Sequence, residues 1–149
     1  MKFDIEDILE MWKTDSEIDE MKLDESSQQS AKLHAKYLEL LSVARLRLKK
    51  QEADYKTLLR DKWLWYNGKM SKAEMDERGW SYDPMNGLKV LKGDMNYFYD
   101  SDPDIQNANM KIDYTKEVVA TLEEIMSNIR WRHQNIKNMI EWRKFTSGI

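Results

Sequence analysis

Hydrophobic residues recur every seven positions along the last third of the chain. One series is Ile105, Ile112, Val119, Met126, His133 and Ile140, and a second, three positions on, is Leu122, Ile129 and Ile136. These series fit the a and d positions of a coiled coil. Val118, Ile125 and Met139 add a third apolar position, g. A seam this wide favours contact with more than one other helix.

This segment is predicted to be one continuous helix over 103–145. Asp102 suits the N-cap, Pro103 the first helical position and Asp104 the positive end of the helix dipole. The helix cannot bury its seam alone, so its partner is expected to be the first long helix, another subunit, or both. The residues assigned to contacts between subunits are Ile112, Val119, Leu122, Met126, Ile129, Ile136 and Ile140. His133, at an a position, is expected to be a hydrogen-bonded polar core residue.

The N-terminal half is also predicted to be helical, because no glycine or proline precedes Gly68. Apolar residues at helical spacing predict a short acidic helix over 4–13: Ile5, Ile8, Leu9 and Trp12. A similar stripe predicts a long helix over 24–66, with Asp24 as a candidate N-cap: Leu33, Tyr37, Leu40, Leu41, Ala44, Leu48, Tyr55, Leu58 and Leu59.

The middle segment, 67–102, holds four of the five glycines and is predicted to be irregular with a short helix. Within it, the stretch 88–99 fits either another short helix or extended chain. Ser71 and Glu74 match a capping box, and Gly79 suits the helix end. The expected fold class is therefore all-α, with two long helices in a hairpin or coiled-coil arrangement. The 149 residues are expected to form a single helical domain.

Charge is segregated along the chain, although the net charge is only −3. Residues 1–25 hold ten acidic residues and three lysines, whereas residues 32–72 hold eleven basic residues and four acidic ones. Residues 130–144 hold five basic residues and one glutamate. Such blocks indicate either partner surfaces or solvated helix faces. The acidic N-terminal segment either covers the chain's own basic region or is recognised by a basic partner.

Enzyme and metal signatures are incomplete. The two histidines, His34 and His133, complete neither E-x-x-H nor H-E-x-x-H, and no phosphate-binding glycine loop is present. Asp100, Asp102 and Asp104 resemble the start of a calcium loop, but its later glycine and glutamate are missing, and a helix cap explains these acids better. We expect a protein that is not an enzyme and needs no cofactor or metal.

Composition also limits the setting of the protein. The absence of cysteine and the acidic N-terminus favour a reducing cytoplasm over secretion. No apolar run approaches the roughly 20 residues of a membrane span. We therefore expect no membrane association.

The stretch LLRDKWLWYNGK, residues 58–69, places cations beside aromatic rings. Cations bind phosphates and aromatic rings stack on unpaired bases, so the stretch predicts a surface for single-stranded nucleic acid. The candidate DNA-binding residues are Lys56, Arg60, Lys62, Trp65 and Lys69. The alternative is that the aromatic residues close the end of a helical bundle, and for Trp63 this is the preferred interpretation.

The layout and one motif resemble the UvsY-type recombination mediator proteins of tailed bacteriophages. The motif is two basic residues spaced by one, then aromatic residues and a small-residue turn, here Arg60-Asp61-Lys62-Trp63-Leu64-Trp65-Tyr66-Asn67-Gly68. In the family the basic pair of this motif contacts DNA, so the resemblance implies that Arg60 and Lys62 do so here. This chain reverses the family's order of lysine then arginine, and its aromatic cluster is larger.

The resemblance implies a non-enzymatic mediator of recombination, repair and recombination-dependent replication. Such a protein binds single-stranded DNA as a ring-like homo-oligomer, a hexamer or heptamer. It weakens the hold of the phage single-strand-binding protein and helps a RecA-like phage recombinase to load, in the cytoplasm of the infected host. Avidity in a ring explains how an acidic chain can bind DNA. The alternative is a coiled-coil scaffold or adaptor of a phage that does not bind DNA.

Overall fold

The structure, a computed structural model, describes residues 4–148, and every regular element in this range is a helix. The α-helices are α1 (Ile5–Asp15), α2 (Leu23–Tyr66), α3 (Lys72–Arg78), α4 (Met95–Ser101) and α5 (Pro103–Thr146), and a 3₁₀-helix (Lys92–Asp94) precedes α4. The all-α prediction and both long helices are confirmed.

The helix ends follow the local capping chemistry. The Ser71 hydroxyl accepts a hydrogen bond from the Glu74 N–H at the start of α3, and Gly79 ends that helix with φ 69°. Asp102 caps α5, since its Oδ1 accepts hydrogen bonds from the N–H groups of Asp104 and Ile105. The start of α2 differs from the prediction, because the helix begins at Leu23 and Asp24 lies in its first turn.

The chain divides into two compact units. Unit 1 contains the residues up to Arg47 and those from Tyr114 onward, and unit 2 is Leu48–Asp113. The prediction of a single domain for the whole chain stays a prediction.

The core of unit 1 is formed by three helices. Ile8 comes from α1, Tyr37, Leu40, Leu41 and Ala44 come from α2, and Val118, Leu122, Ile125, Met126 and Ile129 come from α5. The Trp12 ring meets the Tyr37 ring edge-on at 5.3 Å between centroids. The apolar face of the acidic helix α1 therefore covers the core of its own unit.

Most of the predicted seam is buried within the chain itself. Ile112, Leu122, Met126, Ile129 and Ile136 are all less than 9% exposed. Val119 is half-buried, and Ile140 is 37% exposed. Burial of the first five residues therefore does not require a second copy of the chain. Their assignment to contacts between subunits stays a prediction.

The expected burial of His133 at an a position is wrong, since this side chain is exposed. In its place Arg132, at a g position, is 3% exposed and donates to the carbonyl oxygens of Ser16 and Glu17 at 3.1 and 3.2 Å. Arg143 also donates to the carbonyl oxygen of Glu20. The segment that follows α1 thus packs on the d and g side of α5 and leaves the a positions of its last turns to solvent.

Candidate nucleic-acid interface

The candidate site lies in unit 2, where α2 ends in a turn closed by its own backbone. The N–H of Gly68 donates to the carbonyl of Trp65 at 3.2 Å, and the N–H of Lys69 donates to that of Leu64 at 2.8 Å. This pair of bonds is the Schellman motif, which needs a left-handed residue, and Gly68 has φ 68°. The predicted Asn67-Gly68 turn is confirmed, and it fixes the direction in which Lys69 leaves the helix.

Lys62 lies beneath the surface in a charged network. Its Nζ is 3.1 Å from Asp102 Oδ2 and 2.8 Å from Asp104 Oδ2, and its side chain is 3% exposed. The same ammonium lies 4.4 Å from the ring centroid of Trp65 and 4.0 Å from that of Trp80. Lys62 therefore joins the end of α2 to the start of α5, and its ammonium does not face solvent. Its assignment as a DNA contact does not match this placement.

Asp102 uses both of its oxygens in this network. Oδ1 caps α5, while Oδ2 accepts from Lys62 and, at 2.6 Å, from the Tyr66 hydroxyl. Burial alone would raise the pKa of Asp102. The hydrogen bonds from Tyr66, Ile105 and Lys62, with the charge of Lys62, outweigh burial and lower this pKa below 3.8. The carboxylate therefore stays ionised, and burial together with the bond to Asp102 raises the pKa of Tyr66.

Asp61 holds two arginines side by side. Its Oδ1 accepts from Arg60 Nη2 at 3.1 Å, and its Oδ2 accepts from Arg78 Nη1 at 2.7 Å. Burial tends to raise the pKa of Asp61, but the bonds and charges of Arg78 and Arg60 lower it below 3.8. The Asp61 side chain is 6% exposed, whereas that of Arg60 is 70% exposed and that of Arg78 is 37% exposed. One buried carboxylate thus orients two solvent-accessible guanidinium groups.

Trp63 and Trp65 differ in exposure in the direction opposite to the one predicted. Trp63, expected in the bundle, is 39% exposed. Trp65, expected in the site, is half-buried, donates from Nε1 to the Ser81 carbonyl at 2.8 Å and lies 5.3 Å from the Trp80 ring. The loop that follows α3 supplies these contacts, which draw Trp65 inward and leave Trp63 outside.

The exposed residues form one continuous surface, here named the basic face. Lys56, Arg60 and Trp63 follow one another by four and three positions, so they share a side of α2. The ammonium of Lys69 lies 4.7 Å from the centroid of the Trp63 ring, and Arg78 joins Arg60 through Asp61. Of the predicted site residues, Lys56, Arg60 and Lys69 lie on this face, whereas Lys62 and Trp65 lie beneath it.

Arg78 is the one cation of the basic face that the sequence pattern did not predict. It is the last residue of α3, a helix whose ends were predicted from the capping box and Gly79. Those signals give the extent of the helix but not the residue it contacts, so nothing in the local sequence places Arg78 beside Arg60.

Two other kinds of feature are absent from the described part of the chain. Residues 4–148 contain no group of three or more acidic or histidine side chains arranged to hold a metal ion. Over the same residues, no helix has both the length and the apolar character needed to cross a membrane.

Comparison with known proteins gives the family. A family model described as "Recombination, repair and ssDNA binding protein UvsY" matches residues 11–149. The chain belongs to the UvsY family. The match begins inside α1 and covers both units, so the resemblance seen in the sequence is confirmed.

Solved structures of a UvsY protein share the fold. Three crystal structures of the bacteriophage T4 recombination mediator protein UvsY, lattice types II, I and IV, match with TM-scores of 0.81, 0.80 and 0.80. Their sequence identities are 22%, 21% and 22%. The matches cover 97%, 94% and 97% of this chain and 98%, 98% and 99% of those chains. At this identity the structures show a common fold. A search of curated proteins found no significant match.

Proposed function

We propose that this UvsY-family protein binds single-stranded DNA through the basic face and acts as a recombination mediator. In this role it helps a RecA-like phage recombinase to load onto DNA covered by the phage single-strand-binding protein. It acts without chemistry of its own, in the cytoplasm of the infected host. The observation that carries the proposal is an exposed surface of cations around an indole ring in a chain of the UvsY family.

The basic face has the chemistry that a single strand requires. Four side chains can bind phosphates, and such contacts do not require the groove of a duplex: Lys56, Arg60, Lys69 and Arg78. Because Asp61 holds Arg60 and Arg78 in place, less side-chain freedom is lost when phosphates bind. Phosphate contacts release counterions, so affinity should fall steeply with salt and depend little on base sequence.

Assembly would multiply this modest surface. The chain as a whole carries a charge of −3, and each basic face presents few cations. We propose that the protein works as a ring-like homo-oligomer, a hexamer or heptamer, in which one strand contacts several basic faces. The strand then binds by avidity rather than by the net charge of the protein.

The proposal is tested by fluorescence anisotropy with a labelled single-stranded oligonucleotide across a salt series. Arg60→Ala and Lys69→Ala should each weaken binding. Each should also make the slope of log K against log salt concentration less negative, by about 0.7 for each phosphate that is no longer neutralised. Lys89→Ala is the matched control, because Lys89 is an exposed lysine of unit 2 outside the basic face. Failure of the wild-type protein to bind at low salt would refute the proposal. It would favour the alternative, a coiled-coil scaffold or adaptor that does not bind DNA.

The loading step needs its own assay. Recombinase filaments should form faster on strands coated with single-strand-binding protein when the wild-type protein is added. Arg60→Ala should lose most of this acceleration, and Lys89→Ala should keep it. Acceleration that survives Arg60→Ala would show that loading does not depend on the basic face.

A further inference from the structure

Trp63 is more exposed than the aromatic residues around it. Three of these neighbours have contacts within unit 2. The Trp65 indole donates a hydrogen bond to the Ser81 carbonyl, the Tyr66 hydroxyl donates to Asp102, and the buried Lys62 ammonium lies over the Trp80 ring. Trp63 sits on the same helix end but is 39% exposed. Part of this indole is therefore open to a ligand, next to the cations of the basic face, and an aromatic ring in such a place can stack on a base.

Lys69 lies over that ring. Its ammonium lies 4.7 Å from the Trp63 centroid, and no carboxylate of residues 4–148 forms an ion pair with it. A cation held over an exposed indole by ring electrostatics alone is weakly bound. A ligand with both a flat ring and a negative charge can therefore displace Lys69 from the ring and bind its ammonium at the same time.

We propose that Trp63 is a base-stacking residue, with one unpaired nucleobase on its indole and the adjoining phosphate on Lys69. The inference rests on the proposed binding of single-stranded DNA and adds a subsite to it. Lys56 and Arg60 lie on the same side of α2 as Trp63, so phosphate contacts continue along the helix from the stacked base. Stacking of this kind takes any base and is closed to bases paired within a duplex.

The test compares two strands of equal length, one of thymidine nucleotides and one lacking bases. Trp63→Leu should bind the thymidine strand at least about fivefold more weakly than the wild type, the lower limit for removal of one base stack. The same variant should bind the abasic strand unchanged, because phosphate contacts remain. Trp63→Phe should recover much of the affinity. Tyr97→Leu is the matched control, since Tyr97 is an exposed aromatic residue of unit 2 at 74% exposure.

A second measurement does not depend on affinity. Quenching of tryptophan fluorescence by the thymidine strand should be smaller in Trp63→Phe than in the wild type. The decrease in emission on binding should be unchanged in Trp131→Phe, which removes an exposed tryptophan of unit 1. Undiminished quenching in Trp63→Phe, or an equal loss of affinity for both strands in Trp63→Leu, would overturn the inference.

The outcomes separate this inference from the proposed function. If Arg60→Ala weakens binding while Trp63→Leu binds the thymidine strand as the wild type does, the DNA-binding surface stands and the stacking subsite is wrong. If the wild-type protein binds neither strand at low salt, the proposed function fails and the subsite fails with it.

Discussion

Lys62 and Asp102 form an ion pair almost closed to solvent, with 3.1 Å between Nζ and Oδ2 and side-chain exposures of 3% and 1%. Arg60, only two residues before Lys62, has a side chain that is 70% exposed. Two residues apart on a helix point about 200° away from each other, so neighbouring cations can have opposite surroundings. One cation of the motif faces solvent, and the other holds unit 2 together.

This contrast predicts opposite effects for two alanine substitutions. Lys62→Ala leaves Asp102 buried without its cation and should lower the free energy of unfolding by about 3–5 kcal/mol, the range for breaking a buried pair. Arg60→Ala removes an exposed side chain and should lower it by about 1 kcal/mol or less. Urea unfolding followed by circular dichroism measures both. Equal stabilities of the two variants would show that the Lys62 network does not stabilise the fold.

DNA binding gives the complementary readout. Arg60→Ala should weaken binding in a protein of nearly wild-type stability. Lys62→Met, which keeps the length of the side chain but not its charge, should change affinity only as far as it unfolds unit 2. A folded Lys62→Met protein with strongly reduced affinity would return Lys62 to the DNA-binding site.

The long helices could be predicted because their signals are local. Sixty-seven residues without glycine or proline, and the Asp102-Pro103 cap, lie next to the backbone they control. The position of Lys62 could not be predicted in this way, since Asp102 and Asp104 lie about forty residues further along the chain. The motif shows two cations, and only the tertiary fold brings carboxylates to one of them.

The choice between Trp63 and Trp65 was beyond the sequence for a similar reason. Both are large aromatic residues near the end of α2, and hydrophobicity does not rank them. Trp80 and the Ser81 carbonyl, which follow α3, decide which ring turns inward. Arg78 reaches Asp61 from that same helix. The cations of α2 could thus be identified from the sequence. The residues that decide which side chains are buried and which are exposed could not, because they lie elsewhere in the chain.

The ionisation of Asp102 predicts loss of stability in acid. Its pKa is lowered in the folded state from an ordinary 3.8, so its contribution to folding is present above about pH 4 and is lost as the pH falls through the lowered value. Asp102→Asn should be less stable at pH 7 and should change less between pH 4 and pH 2. The variant should still lose some stability in acid, because the pKa of Asp61 is also lowered. An unaltered acid profile in Asp102→Asn would contradict the assignment.

The turn at Gly68 predicts a sensitive backbone position. Gly68 has φ 68° and open space around its hydrogen atoms, so a side chain there meets no clash but must adopt the left-handed conformation. Gly68→Val should therefore cost about 1–2 kcal/mol of stability and displace Lys69, which weakens DNA binding. Gly68→Asn should be much milder. Gly93→Val is the control, because Gly93 lacks a positive φ and has similar open space. Equal tolerance at both glycines, measured by thermal unfolding, would exclude strain at the turn.

The end of α5 predicts where copies of the chain meet. Trp142 and Phe145 are 66% and 76% exposed and stack on each other with 5.8 Å between centroids, whereas Ile129 lies in the core of unit 1. If the exposed pair lies between subunits, Trp142→Asp with Phe145→Asp should reduce the mass in sedimentation velocity while the helix content stays constant. Ile129→Glu should instead lower the stability of unit 1 itself, because it buries a charge. A double variant that keeps the wild-type mass would place the subunit contact elsewhere, and a stable Ile129→Glu protein of lower mass would return the contact to the predicted seam.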